Sequence, residues 1–323
     1  MNNLHTQAID FLNTLFKKVD AQVPLSENWD IDHLCYRTET PQDYEHTKSE
    51  FASFSNLLIE SPVNGRMIST FKLNQPIIFR QWKIDLIEVP APKAGKNTPR
   101  GFEHIEVVCD ADLFLLKDKF SHLQLDTGGL NKKFNKELEV VLGDENIKFH
   151  NYSLESVIRF EKKASIYSVL NSEILSSLLK NYNTLVVGTY PLDLENTKSD
   201  LDILAQGSID EITRLMQNYV GKESVTIKTN TLNFKINETP VQIYVCNQSP
   251  TFQQSFQHFQ VEEKILKYAR SLDLVALKKQ RLLNIKTEKA FATALQLEGD
   301  EYDVLEKMNR LSISDLDRLL NHD

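Results

Sequence analysis

Two sets of residues carry chemistry by type and spacing. The first is Asp200 and Asp202 in SDLDI (199–203), which follow Gly188 and Thr189 in LVVGTYP (185–191). Aspartates at i and i+2 of a strand share one face, so both reach the same ion. Buried like charges repel unless a cation sits between them. A glycine turn with a hydroxyl directly after a buried strand supplies a phosphate cradle. With carboxylates for Mg²⁺, that is what phosphoryl or nucleotidyl transfer needs. A solvated strand end is the bland reading of a lone Asp-x-Asp, and the upstream Gly-Thr weakens it. The second set is His33, Glu88, His104 and His150, separated by 55, 16 and 46 residues. Imidazole and carboxylate donors converging from rigid strands suit a divalent ion. Hydrogen-bonded core histidines are the alternative for His33 and His104 taken alone.

The elements that must position these residues follow from period and punctuation. Residues 4–20 read as an amphipathic helix, with Ala8, Leu12, Leu15, Phe16 and Val19 at helical spacing. Asp30–Thr38 reads as a strand, and Thr40-Pro41 caps a helix running to about Ser55. Asn56–Pro62 is a second strand, and Asn64-Gly65 is a hairpin signal. Arg66–Leu73 and Ile77–Pro90 are the third and fourth strands, and the Pro-rich 90–101 is a linker. The order then repeats: strand Gly101–Cys109, a helix from Asp110 to His122, and a hairpin of Glu137–Leu142 with Ile147–Tyr152. DHLCYR (32–37) matches EHIEVV (103–108), and IDLIEV (84–89) matches NIKFHN (146–151). His33 thus falls over His104, and Glu88 over His150. Two β-α-β-β-β units paired about a pseudo-twofold would bring their first and last strands together around one site. Glu106 shares His104's face and reads as a general base, an extra ligand or a solvated strand end. Arg37 and Arg66 could hold a substrate carboxylate or phosphate, or form surface ion pairs; Cys35 reads as a packing residue.

A second region follows residue 162. Ile166–Tyr182 reads as one helix, Thr184–Val187 as a buried strand and SDLDILAQ (199–206) as another. Ser208 and Glu211 form a capping box, and Gly221 closes that helix. Ser224–Ile236 and Val241–Cys246 read as strands, and the chain from about 252 as helical. His258 and Glu262, at i and i+4, form a polar pair or face water with Glu263.

The first region resembles the YecM family, a branch of the glyoxalase/bleomycin-resistance (vicinal oxygen chelate) superfamily. The resemblance covers about residues 5–162 and rests on DHLCYR, NGRMISTFKL, WKIDLIEVP, GFEHIEVV and IKFHNYSLESVIRFE. It implies a divalent ion (Zn, Ni, Mn or Fe) held by one His or Glu from each of four strands, which map to His33, Glu88, His104 and His150. It implies a site and not a substrate.

The second region resembles the nucleotidyltransferase superfamily, the polymerase-β-like minimal fold. Its pattern maps to Gly188, Thr189, Asp200 and Asp202, with Thr189 where Ser or Gly is usual. More closely, GTYPLDLENTKSDLDILAQ (188–206), FQHFQVEEKILKYA (256–269) and NIKTEKAFATALQLEGDEYDVLEKM (284–308) resemble an uncharacterised bacterial family of nucleotidyltransferase-like domains. The resemblance implies Mg²⁺ and a nucleoside triphosphate as cofactors. It also implies a third carboxylate on a later strand, and there TPVQIYV places Gln242, which accepts no proton. Loss of such a base costs about 10²–10⁴ in rate. Lys198 and Lys286 could touch phosphates or stay solvated.

The expected fold is therefore α+β: a tandem βαβββ, glyoxalase-like cup over 1–162, then a minimal nucleotidyltransferase-like α/β domain with C-terminal helices over 163–323. Three functions fit: a metal-dependent isomerase- or lyase-type enzyme with a nucleotide-binding module, a nucleotidyltransferase acting on a small-molecule or macromolecular hydroxyl, or a noncatalytic ligand sensor. The composition supports a folded chain, with 323 residues, 41% hydrophobic and 25% charged. A net charge of −8 argues against nucleic acid, leaving a small-molecule substrate or nucleotide as partner and allowing a homodimer. No apolar run approaches the roughly 18 residues of a membrane helix, so no membrane partner is expected. Asp10 within the first apolar stretch argues against a signal peptide. Three scattered cysteines fit a reducing cytoplasm.

Overall fold

The computed structural model describes residues 2–93, 95 and 98–321. The chain divides into two units: Met1–Cys109, Leu113–Leu130 and Glu137–His150 form one, and Asp110–Asp112, Asn131–Lys136 and Asn151–Asp323 the other. The expected division at 162/163 falls inside the second unit, because Phe160 is buried in that unit's core with Leu178 and Ile203. Part of the expected linker, residues 94, 96 and 97, lies outside the described residues. Among the described residues no helix is long and apolar enough to cross a membrane.

In the first unit, α1 (Asn2–Gln22) buries the expected stripe from Ala8 to Val19. Then come β1 (Asp30–Arg37), α2 (Pro41–Ala52), β2 (Ser55–Val63), β3 (Arg66–Phe79) and β4 (Trp82–Pro90). Thr40 caps α2 through its side chain, which accepts from the Asp43 amide. Asn64 and Gly65 turn the β2–β3 hairpin at φ 49 and 79, as a tight hairpin demands. The break expected between Leu73 and Ile77 is instead a register irregularity within β3, where the ladder tolerates Pro76. The chain turns at Arg80, φ 53.

The second half repeats the order with β5 (Gly101–Val108), α3 (Leu113–Lys119), β6 (Gln124–Asp126), β7 (Leu138–Leu142) and β8 (Glu145–His150). The helix is shorter than expected, and β6 has no counterpart in the sequence reading. The sheet order β2-β3-β4-β1-β5-β8-β7-β6 makes the duplication explicit. β1 runs parallel to β4, β5 parallel to β8, and β1 antiparallel to β5. One face carries Leu34, Ile87, Ile105, Ile147 and Phe149, all fully buried. Alternation sends His33, Glu88, His104, Glu106 and His150 to the other face.

The second unit begins with α4 (Leu154–Lys162), α5 (Ala164–Leu170) and α6 (Glu173–Asn181). The single helix expected over 166–182 is thus broken: Ser172 accepts from the Leu175 amide and caps a new helix. The unit continues with β9 (Thr184–Val187), α7 (Thr189–Leu192), β10 (Leu201–Gln206) and α8 (Ile209–Val220). Ser208 makes no side-chain cap bond to α8, so the capping box does not form. The strand expected over 224–236 is a hairpin of β11 (Thr226–Lys228) and β12 (Thr231–Ile236), turned at Thr229, φ 52. β13 (Thr239–Cys246) completes a sheet of order β11-β12-β13-β10-β9. Five helices follow: α9 (Gln254–Tyr268), α10 (Leu274–Leu282), α11 (Thr287–Ala294), α12 (Glu301–Asn309) and α13 (Ile313–Asn321).

Candidate functional site

Glu106 is the hub of the first unit's polar face. Its Oε2 lies 2.6 Å from His150 Nε2 and 3.4 Å from His33 Nε2. Its Oε1 lies 3.3 Å from His104 Nε2 and 3.2 Å from Lys148 Nζ. One donor atom each from His33, Glu88 and Glu106 fall within 4.8 Å of one another, as do those of Cys35, Glu103 and His104. Each member of the expected quartet thus neighbours Glu106, but the donors divide: His33 and Glu88 group with Glu106, His104 groups with Cys35 and Glu103, and His150 touches the cluster through Glu106 Oε2. The ladder also revises the repeat alignment. Glu88 pairs with Cys35, two residues beyond His33, and Lys148 pairs with Glu106, two beyond His104. With His33 over His104, Lys148 takes the rung of Glu88, and His150 stands one step farther along.

Both first-strand histidines are held the same way. Asp32 Oδ2 takes Nδ1 of His33 at 2.8 Å, and Glu103 Oε2 takes Nδ1 of His104 at 2.9 Å. An acid on Nδ1 fixes the ring and turns Nε2 inward, as in metal-binding histidines. His33 Nε2 is buried and, despite its nearness to Glu106, makes no directed hydrogen bond. Burial opposes charge on His33, but Glu106 and Asp32 outweigh it and raise the ring well above its usual range. For His104 burial is likewise outweighed, by Cys35 and Glu103, which lift it to about 10. Burial would raise Glu106; Lys148, His33 and His150 hold it well below the usual carboxylate range. Beside this cluster Arg37 clasps Glu103 through Nε and Nη2. Arg66 donates to the Ala91 carbonyl at 3.2 Å, while its Nε is buried without a hydrogen-bond partner. Burial and then Arg37 lower the Arg66 pKa. Cys35, expected as packing, is 1% exposed yet stands among these donors.

In the second unit a cavity of about 730 Å³ lies against the ends of β9 and β10. Gly188, Thr189, Lys198, Asp200 and Asp202 all line it. Gly188 has φ +80, and a Cβ there would lie 2.4 Å from Asp202 Oδ2, so the turn and the aspartate meet only because the residue is glycine. Thr189 Oγ1 donates to Ser199 Oγ at 3.1 Å. Burial, then the charges of Asp200 and Glu288, push Asp202 up to about 8, and burial also raises Asp200. Gln242 pairs with Asp202 in the parallel β10–β13 ladder, and its amide donates to Asn233 Oδ1 at 2.9 Å.

The cavity's other wall is helical: His258 and Glu262 from α9, Arg281 from α10 and Glu288 from α11. His258 does not pair with Glu262; its Nδ1 lies 3.6 Å from Glu288 Oε1, and its Nε2 donates to the Tyr302 carbonyl at 3.2 Å. Burial opposes ionisation of Glu288, but His258 prevails and lowers its pKa. Burial, reinforced by Glu288, raises Glu262 well above the usual range. Glu263 does not face water: it accepts from the Ser153 amide at 3.0 Å and hydroxyl at 2.8 Å. Lys286 Nζ donates to Tyr302 Oη at 3.0 Å. The sequence reading missed Asp32, Glu103, Lys148 and Glu288 as site residues. An acid directly before each strand histidine was visible in DHLCYR and EHIEVV; nothing local marked Lys148 or Glu288.

Residues 1–142 match the family described as YecM protein, and residues 168–308 match a domain of unknown function, DUF4269. Protein YecM of Escherichia coli K12 is 30% identical over 148 residues, covering 41% of this chain and 79% of that protein. An uncharacterised Haemophilus influenzae protein is 28% identical over 158 residues, covering 42% and 81%. A structural-genomics structure of protein EC4020 is 25% identical, covers 49% of this chain and 90% of that one, and superposes with a TM-score of 0.43. A structure of the Cid1 poly(U) polymerase with MgGTP bound is 15% identical and covers 46% and 48%, at a TM-score of 0.29. Through its first half, this chain belongs to the YecM family.

Proposed function

We propose that the chain joins a divalent-metal site, which takes an anionic small molecule, to a module that binds a nucleoside triphosphate with Mg²⁺. The observation that carries the first part is the convergence of three imidazoles from both repeats on one buried carboxylate, with His33 Nε2 unsatisfied. Mixed nitrogen and oxygen donors fit Zn, Mn, Fe or Ni. His33, Glu88 and Glu106, whose donor atoms lie within 4.8 Å of one another, would hold the ion, with His150 and His104 beside Glu106's two oxygens completing the set; bound there, it would polarise substrate oxygens. Arg37 and Arg66 supply positive charge beside the cluster, which suits a carboxylate or phosphate. In the second unit, Asp202 against Gly188 supports the phosphate and Mg²⁺ reading.

Elemental analysis of purified protein and of His33→Ala and His104→Ala tests the metal site: about one divalent ion per chain in the wild type, lost in both variants. No bound ion in the wild type, after exchange with each candidate metal, would remove the reading. Titration of a fluorescent nucleotide with and without Mg²⁺, repeated on Asp200→Asn, tests the second unit. Binding that is Mg²⁺-independent and indifferent to the variant would sink it.

A further inference from the structure

Resting on the nucleotide-binding reading of the second unit, we propose that Glu288, carried by α11 instead of the sheet, completes the Asp200–Asp202 site as its third carboxylate and takes the proton of an attacking hydroxyl. The sheet offers no acid there. Gln242 occupies the rung beside Asp202, with its amide engaged by Asn233. Glu238, in the turn before β13, has a side chain 92% exposed. Glu288 lines the same cavity as both aspartates. A second observation points to a ligand in that space. Glu262 lines the cavity too, is only 3% exposed, and its Oε1 has no hydrogen-bond partner. A buried oxygen left unbonded costs free energy until something fills the cavity and binds it.

His258 places Glu288. With Nε2 anchored on the Tyr302 carbonyl, Nδ1 faces Glu288 Oε1. This is the arrangement of an acceptor oriented by a third group. In the step, the acceptor's hydroxyl oxygen forms a bond to the α-phosphorus of the nucleoside triphosphate. The bond from that phosphorus to the bridging oxygen breaks, and pyrophosphate leaves with its electron pair. The hydroxyl proton passes to Glu288. The products are a nucleotidylated acceptor and pyrophosphate; with water as acceptor, a nucleoside monophosphate.

The test measures pyrophosphate release by the full-length chain with each of the four ribonucleoside triphosphates and Mg²⁺, water and the chain's own hydroxyls serving as acceptors. The wild type is expected to release pyrophosphate. Glu288→Gln should lower the rate by about 100-fold or more, with its nucleotide affinity changed by less than about 3-fold. Gln242→Glu added to that variant, returning an acid to the strand, should recover at least about a tenth of the rate. Should Glu288→Gln melt differently from the wild type, Glu288→Asp replaces it, with a loss of about 10-fold expected from the shortened reach. An unchanged rate in the Glu288 variant overturns the inference. Nucleotide binding without pyrophosphate release overturns it and leaves the nucleotide-binding reading standing; no binding overturns both.

Discussion

The Glu106 carboxylate lies 2.6 Å from His150 Nε2 and, through its other oxygen, 3.2 Å from Lys148 Nζ. The first strand of the second repeat thus grips two side chains of the last. In the metal-free protein this carboxylate neutralises a cluster of cations that burial would otherwise penalise. Glu106→Ala should therefore cost about 3–5 kcal/mol in a urea melt of metal-free protein, because it leaves the buried His33 and His104 and the largely buried Lys148 without the carboxylate they share. Glu106→Gln combined with Lys148→Met should recover most of that loss. Equal melts for the wild type and Glu106→Ala would show that the cluster contributes nothing to folding.

Asp32 acts on the candidate ion through the His33 ring it holds, and Glu103 through the His104 ring beside which its own donor atom lies. Asp32→Asn and Glu103→Gln should each weaken metal affinity by about 10–100-fold, read by competition with a chelating dye. Unchanged affinity in both would mean that His33 and His104 are not ligands.

Gly188 joins the turn after β9 to Asp202. Gly188→Ala should destabilise the chain by about 1–3 kcal/mol, because a side chain is forced into a backbone region reserved for glycine. The added Cβ also displaces Asp202, whose Oδ2 it would meet at 2.4 Å. Mg²⁺-dependent nucleotide binding should weaken by at least about 10-fold in the same variant. Full affinity in Gly188→Ala would separate the turn from the nucleotide site.

Lys136 sets a pH dependence of stability. Burial lowers its pKa from the usual 10.5 to about 8, with only long hydrogen bonds to the Leu179 carbonyl (3.3 Å) and Thr184 Oγ1 (3.5 Å) in return. Between those two values the unfolded chain keeps a proton that the folded chain has released, so stability rises with pH across that window. Below it both states are protonated, and the full cost of burying the charge is paid. Lys136→Met should thus stabilise the protein by about 1–3 kcal/mol at pH 7. The gain should fade as pH climbs through the window. A constant difference between wild type and variant over that range, in melts stepped through pH, would contradict this account.

Much of the fold was legible because its determinants are local. The α1 stripe, the Thr40 cap and the Asn64-Gly65 turn act within a few residues; β1, β5, β9 and β10 could be read from period alone, and β4 in all but its start. Alternation also put His33, His104 and Glu106 on strand faces, and Asp200, Asp202 and Gly188 stood out by spacing. The α5–α6 break, β6 and the Arg80 turn escaped because their local signals are weak and packing settles them.

What the residue order could not decide is which rung of one strand meets which rung of another. A slip of two residues keeps every side chain on its own face while changing its neighbour. That is how Lys148, and not His150, came to share a rung with Glu106. Nor could it place α11, whose Glu288 reaches the aspartate cavity only because helices far along the chain pack over the sheet. The sequence by itself determined the donors and the elements that carry them. Tertiary structure alone chose their partners, since contacts between distant segments are set by burial and ladder register, which no short window of sequence contains.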